Sequence, residues 1–320
     1  MINNQEDVVA EFVRYFETLL GGERRERELN IEHLRSRATH VLTEEERDML
    51  VSPVTRDEVK EAFFDIEEDK ALAPDGYSAG FYKAAWPIVG REVTDAILEF
   101  FHNGRLLKQI NSTVISLIPK VHTPLSVSNF RPISYCNVLY KVITKILVKR
   151  IRLVLEKLIS PTQNAFVSGR SIGDNVLMAQ ELFSGYNQQR KPPRCALKVD
   201  LHKDYDMMEW DFLFAVLQLY KFSEPFIGWI RECVTTTTFT ITLNGGIHGF
   251  FTGARGLRQG DPMSPYLFVL VMKILGLMIQ QKIEVQGGFL YHWRCEETRL
   301  FQLSFADDLL LFCRADETSI

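Results

Sequence analysis

An α+β fold with an antiparallel sheet and helices on one face is what this 320-residue sequence predicts. Three observations carry that reading. From residue 194 onward the pattern runs strand, helix, hairpin, helix, hairpin. VTTTTFTITLNGGIHGFFTG (234–253) is a β-hairpin with its turn at Asn244-Gly245-Gly246, the strongest such signal in the chain. Upstream of 194, apolar residues recur mainly at helical spacing.

Val8, Val9, Phe12, Val13, Phe16, Leu19 and Leu20 predict a first helix that stops at Gly21-Gly22. Thr43 with Glu46 and Thr55 with Glu58 fit capping boxes, the second leading Val59, Ala62, Phe63 and Ile66 along one face. KALAPDGYS breaks that helix. Another amphipathic stretch spans roughly 86–102, and STVISLIPK is a short β-branched run ended by Pro119. A long helix over about 137–159 buries Val138, Leu139, Val142, Ile143, Ile146 and Leu147. RCALKVDL is a strand, with Leu197, Val199 and Leu201 on one face and Lys198, Asp200 and His202 on the other. Helices over about 207–220 and 264–281 and a last hairpin around Asp307 complete the reading.

At 46% hydrophobic content the chain can bury a substantial core, and its length suits about two lobes. Charged or glycine residues interrupt every apolar run, so no membrane span is expected, and MINNQEDVVAEF lacks the basic and apolar regions of a signal peptide. An intracellular protein follows. Cys136, Cys195, Cys233, Cys295 and Cys313 show no metal-ligand spacing and are read as reduced thiols. The net charge of −4 conceals a strong asymmetry. Residues 1–99 hold 12 basic and 23 acidic side chains, 100–155 hold 9 and 0, and 156–320 hold 16 and 18. On the long helix Lys141, Lys145, Lys149 and Arg152 share one face, a cationic ridge without acidic neighbours in the local sequence. It fits either a solvated face or a phosphate-binding surface.

LSFADDLLLF (303–312) sets Asp307 and Asp308 inside an apolar run. An isolated pair also fits a tight turn. In a plain buried strand one carboxylate would enter the core, at a cost a divalent cation removes. If the strand carrying Asp200 neighbours this hairpin, three carboxylates meet at one sheet edge. Hard oxygen donors of that kind suit Mg²⁺, and a pair of such ions promotes in-line displacement at a phosphate.

LKVDLHKDYD, GLRQGDPMSPYLF and SFADDLLLF, in this order, resemble the A, B and C motifs of reverse transcriptases, specifically those of plant LINE-type (non-LTR) retrotransposons. KALAPDGYSAGFYKAAW, LIPKVHTPLSVSNFRPISYCNVLYKVITKILVKRI and SPTQNAFVSGRSIGDNVLMAQEL resemble the finger-region blocks of the same group. The resemblance covers nearly the whole chain. It implies a right-hand polymerase in which Asp200, Asp307 and Asp308 are catalytic and hold two Mg²⁺, with Mn²⁺ a possible substitute. Tyr205 would crowd a ribose 2′-hydroxyl, Gln259 and Gly260 would lie against the incoming nucleotide, and Arg131 and Lys120 would reach its triphosphate. The ridge from Lys141 to Arg152 would follow nucleic-acid phosphates. Bland alternatives are a core aromatic for Tyr205, a surface amide for Gln259 and an ion-pair partner for Arg131.

The implied organisation is an acidic helical extension (1–100), fingers (101–194) and a palm (195–320) without a thumb. Implied partners are an RNA template, the RNA–DNA hybrid, a DNA primer end and deoxynucleoside triphosphates, with no membrane. The family's location is the nucleus. Departures from the pattern are Asp204 where Ala is usual, Leu72 and Ala73 where Pro and Gly are usual, and Gln302 where His is common. These departures, with an endonuclease expected before Met1 and a thumb after Ile320, suggest a fragment or decayed copy. An RNA-dependent RNA polymerase is disfavoured by the bulk of Tyr205. A non-catalytic RNA-binding remnant is the rival of another class.

Overall fold

The computed structural model describes residues 4–22, 29, 31–38, 40–68, 73–186 and 191–319. The departure at Leu72 lies outside them. In chain order the elements are α1 (Gln5–Leu20), α2 (Glu44–Leu50), α3 (Arg56–Phe64), α4 (Ala79–Ala84), α5 (Trp86–Asn103), β1 (Ser112–Pro119), β2 (Phe130–Cys136), α6 (Val138–Leu158), α7 (Ile172–Phe183), β3 (Arg194–Val199), α8 (Trp210–Leu219), α9 (Glu224–Thr235), β4 (Thr238–Leu243), β5 (Gly246–Thr252), α10 (Ser264–Gln286), β6 (Gln302–Phe305) and β7 (Asp308–Arg314). The α+β class holds. The chain divides into two compact units, each discontinuous in sequence: Met1–Leu29 with Leu42–Ile151 and Tyr205–Ser264, and Asn30–Val41 with Arg152–Asp204 and Pro265–Ile320.

In the first unit a sheet of order β2-β1-β4-β5 has antiparallel β1–β2 and β4–β5 pairs and a parallel β1–β4 pair. The apolar stripe of α1 covers it: Phe16, Leu19 and Leu20 pack on Ile115, Phe239, Ile241 and Phe251. The 244–246 turn forms as its sequence demands, with Asn244 at φ 51° and Gly245 at φ 81°. This hairpin joins β1 and β2 in one sheet and leaves β3 to a separate antiparallel sheet. Residues 224–235, which the sequence reading left unassigned, form α9, with Pro225 in its first turn and Phe226, Trp229, Ile230 and Cys233 buried.

Thr43 and Glu46 form the complete capping box. Thr55 accepts from the Glu58 amide, but the Glu58 carboxylate turns to Arg150 on α6 instead of closing the second box. Asn137 caps α6 by accepting from the Leu139 amide, while its own amide donates to Asp75 at 2.5 Å. The loop that breaks α3 from α4 is thereby tied to α6.

In the second unit an antiparallel sheet of order β3-β7-β6 carries α7 on one face. Leu182 packs there with Cys295, Leu303 and Phe312, and Ala196 and Leu310 flank them. By length and composition α10 could cross a membrane, with a mean hydropathy of 1.5 over its Ser264–Val285 window. Its apolar run is interrupted by Lys273, with Lys282 and Glu284 near its end. Leu267, Phe268, Val269, Leu270, Ile274 and Leu277 are buried within the protein, as in a core helix.

Candidate functional site

The register of the three-stranded sheet decides where the carboxylates go. Val199 faces Leu309 at the last rung of the β3–β7 ladder, so Asp200 leaves β3 at the sheet end where Asp308 begins β7. Phe305 pairs with Asp308, leaving Ala306 and Asp307 as the turn between β6 and β7. The three predicted residues therefore share one end of one sheet.

Their side chains do not converge. Among the described residues no three His, Cys, Asp or Glu side chains are close enough to hold a metal ion. Asp308 accepts an ion pair from Lys198 at 3.1 Å, with both side chains more than 60% exposed. Contrary to expectation, none of the three carboxylates is buried in the core: Asp200 and Asp308 are exposed and Asp307 is half-buried, because the pair sits in a turn at a strand end. Hydrogen bonding and charge from Asp308 hold the Lys198 ammonium above its ordinary value against the opposing effect of burial, with lesser help from the charges of Asp200 and Asp307. This sheet end thus already attracts a cation, and its hard oxygen donors fit Mg²⁺.

The turn is fixed by Gln163, which the sequence reading passed over. Its side chain is 5% exposed and grips both backbone groups of Ala306. Oε1 accepts from the Ala306 amide at 2.9 Å, and Nε2 donates to the Ala306 carbonyl at 3.2 Å. Oε1 also accepts from the Ala165 amide at 3.0 Å. Ala306 needs that support because its φ is 54°, a region that residues with a Cβ rarely enter. Ser304 extends the clamp by donating to Thr162 and accepting from the Asn164 amide and the Asn175 side chain. Sequence alone offered only a buried amide in SPTQNAF as a hint.

In the other unit Tyr205, Gln259 and Gly260 come together around the 256–261 loop, while Arg131 lies on the β1–β2 ladder and Lys120 at its end. The Leu257 amide donates to the Tyr205 carbonyl at 2.7 Å, and the Gly256 amide to Met208 at 2.8 Å. Gln259 donates its side-chain amide to Asp206 at 3.0 Å, while its carbonyl accepts from the Ser134 amide on β2 at 2.7 Å. Gly260 has φ 113°, and a Cβ there would meet the Ser134 carbonyl at 2.9 Å. Only glycine permits this approach. Arg131 on β2 pairs across from Ile118 and is exposed. Lys120 follows the same ladder, with its ammonium on the Ser128 carbonyl at 3.3 Å. Tyr205 is half-buried, as is Asp204.

Beneath the loop lies a buried polar box that sequence reading also missed. Arg258 donates to Asn111 at 2.8 Å, Thr113 at 3.0 Å and the Cys233 carbonyl at 2.9 Å, with its guanidinium over the Tyr140 ring. Tyr140 donates its hydroxyl to Asp261 at 2.7 Å. Burial opposes the Arg258 charge, yet Tyr140, Cys136, Asp261 and Cys233 outweigh it and hold the guanidinium above its ordinary value. In the Arg-Gln-Gly-Asp tetrad the two charged ends are thus anchors, which leaves Gln259 and Gly260 at the loop's crest.

The cationic ridge has partners after all. Lys149 pairs with Glu61 at 2.7 Å, Lys145 with Asp65, and buried Arg150 with Glu58 at 3.2 Å. The acidic α3 and Asp65 just past its end, far upstream in sequence, supply the carboxylates. Counting charges locally could not reveal this long-range pairing. Arg152 donates to the Ser168 hydroxyl at 3.2 Å, and Lys141 has no ion pair among the described residues.

An α+β chain with an Asp-Asp hairpin beside a third aspartate strand has the make-up of a fingers-and-palm polymerase domain. The family model for reverse transcriptase (RNA-dependent DNA polymerase) matches residues 118–320. The chain is 26% identical over 280 residues to the transposon TX1 uncharacterized 149 kDa protein of Xenopus laevis, covering 85% of this chain and 20% of that protein. It is 26% identical over 290 residues to the retrovirus-related Pol polyprotein from type-1 retrotransposable element R2 of Nasonia vitripennis, covering 89% and 26%. It is 43% identical over 68 residues to the uncharacterized mitochondrial protein AtMg01250 of Arabidopsis thaliana, covering 21% and 54%. The chain belongs to the reverse transcriptase family. It is an RNA-directed DNA polymerase domain by ancestry, similar to proteins of the TX1 and R2 elements, and it spans about a fifth to a quarter of their length.

Proposed function

We propose that this chain extends a DNA primer on an RNA template, using deoxynucleoside triphosphates and Mg²⁺. The observation that carries the reading is the β3–β7–β6 register, which brings Asp200 to the sheet end of Asp307 and Asp308 although the sequence separates them by more than a hundred residues. In this proposal Asp200, Asp307 and Asp308 hold the divalent ions, with Lys198 giving up Asp308 as they bind. The ions supply activation of the primer hydroxyl and charge neutralisation on the pyrophosphate that leaves. Gln163 keeps the Asp307 turn in its left-handed bend. Tyr205 excludes a 2′-hydroxyl, Gln259 and Gly260 present a close backbone surface to the nucleotide, and Arg131 and Lys120 bind its phosphates. Lys141 and Arg152 contact nucleic-acid phosphates, joined by Lys145 and Lys149 when α3 releases them.

The consecutive division into extension (1–100), fingers (101–194) and palm (195–320) belongs to the same proposal. So does descent from plant elements. Work in the nucleus is part of it too, to be checked by imaging a fluorescent fusion.

Primer extension on an RNA template tests the reading. The chain should incorporate deoxynucleotides with Mg²⁺ or Mn²⁺, Asp200→Asn and Asp307→Asn should abolish incorporation, and Tyr205→Ala should admit ribonucleotides. Binding of an RNA–DNA hybrid without any metal-dependent incorporation would instead establish the RNA-binding remnant.

A further inference from the structure

Cys195 and Cys313 face each other across the β3–β7 ladder. The Phe312 and Arg314 amides donate away from β3, to Phe301 and Leu290, whereas the Ala315 amide donates to Pro193, just before β3. By alternation, Cys313 turns its own amide and carbonyl to Cys195. Antiparallel residues that exchange both bonds hold their Cα atoms ~5.5 Å apart. That separation falls at the commonest Cα spacing of protein disulfides, ~5.5 to 6 Å. The two side chains project from the same sheet face, directly opposite each other in the ladder.

We infer that Cys195 and Cys313 form a reversible oxidation site, a cross-strand thiol pair that hydroperoxides convert to a disulfide. Cys195 is half-buried, so it meets the oxidant first. Burial pushes the Cys313 thiol up to about 11, making it the poorer first nucleophile and the resolving partner. Cys313 also lines a cavity of about 670 Å³. In the first step the Cys195 sulfur attacks one peroxide oxygen, the O–O bond breaks, and Cys195 sulfenic acid and water form. In the second, the Cys313 sulfur attacks the Cys195 sulfur and the S–O bond breaks, the oxygen leaving as a second water. Overall, two thiols lose two hydrogens and one hydrogen peroxide becomes two waters. The cross-link ties β3 to β7 five residues from Asp200 on one strand and five from Asp308 on the other.

The test is hydrogen peroxide treatment of the full native chain, then peptide mapping without reductant. The expected product is one linked peptide pair joining Cys195 to Cys313, lighter by two hydrogens than the separate peptides and released by dithiothreitol. Cys313→Ser should leave a Cys195 sulfenic acid that dimedone traps, and Cys195→Ser should form neither product. The reduced wild type and both variants are checked for matching circular dichroism before oxidation. The inference is overturned if native chains form no 195–313 link, or if the link arises only in urea along with random pairings. A faster native reaction at any other cysteine pair also overturns it.

Discussion

Gln163 shows how a single side chain can define a turn built from other residues. Its amide satisfies both backbone groups of Ala306 and the amide of Ala165 from a site closed to water. Gln163→Leu keeps the volume and removes all three bonds, leaving buried groups unpaired at roughly 1–3 kcal/mol each. The expected result is a lower urea midpoint and loss of metal-dependent primer extension, with Gln163→Glu recovering part of the midpoint because its oxygen still accepts from both amides. Arg258 is the corresponding anchor of the 256–261 loop. Arg258→Met leaves Asp261 buried without its countercharge and should cost about 3–5 kcal/mol in equilibrium unfolding. The companion change Asp261→Asn in that background should recover a measurable part.

At the scale of elements, α3 and α6 are joined by one buried pair and two surface pairs. Because exposed pairs contribute about 0–1 kcal/mol, Lys145→Gln with Lys149→Gln should hardly move the unfolding midpoint. Arg150→Met strands Glu58 and an acceptor at the Leu50 carbonyl and should lower the midpoint clearly. Nucleic-acid binding separates the two groups of cations in another way. Lys141→Gln with Arg152→Gln should flatten the dependence of affinity on salt more than Lys145→Gln with Lys149→Gln, since the latter pair is already neutralised by Asp65 and Glu61. Equal flattening by both double variants would mean that nucleic acid strips α3 from α6.

For the molecule as a whole, acid sensitivity has an identifiable contributor in His292. It is fully buried, and burial, then the nearby Arg194 charge, hold its imidazole below the ordinary value of 6.5. Above that pH the ring is neutral in folded and unfolded chains alike, and it adds no pH dependence. As the pH falls below 6.5 the unfolded chain takes up a proton that the folded chain resists, so stability falls until the folded value is reached. His292→Phe, which keeps a flat ring against Tyr186, should remove up to one proton of uptake from that part of the stability curve. Chemical denaturation from pH 7.5 down to 5 measures the difference.

The sequence by itself determined what is local. The apolar stripes of α1 and α6 appear because helical spacing is written within a few residues of chain. The Asn244-Gly245 turn and the Thr43 capping box are equally local, requiring only positive φ or a short side chain in reach of nearby amides. The motif order likewise pointed to the family without any coordinates. Tertiary structure decided the rest. It assigned the 238–252 hairpin to a sheet with β1 and β2, since a strand's pairing partner is set by which distant edge is free and not by its own residues. It turned Glu58 from a cap into a counterion, and it neutralised a ridge that looked unpaired, because charges interact through space regardless of their separation in sequence. It placed Asp200 beside the Asp307 turn through strand register while leaving the carboxylates unconverged, since solvent and Lys198 stabilise separated like charges better than close contact does.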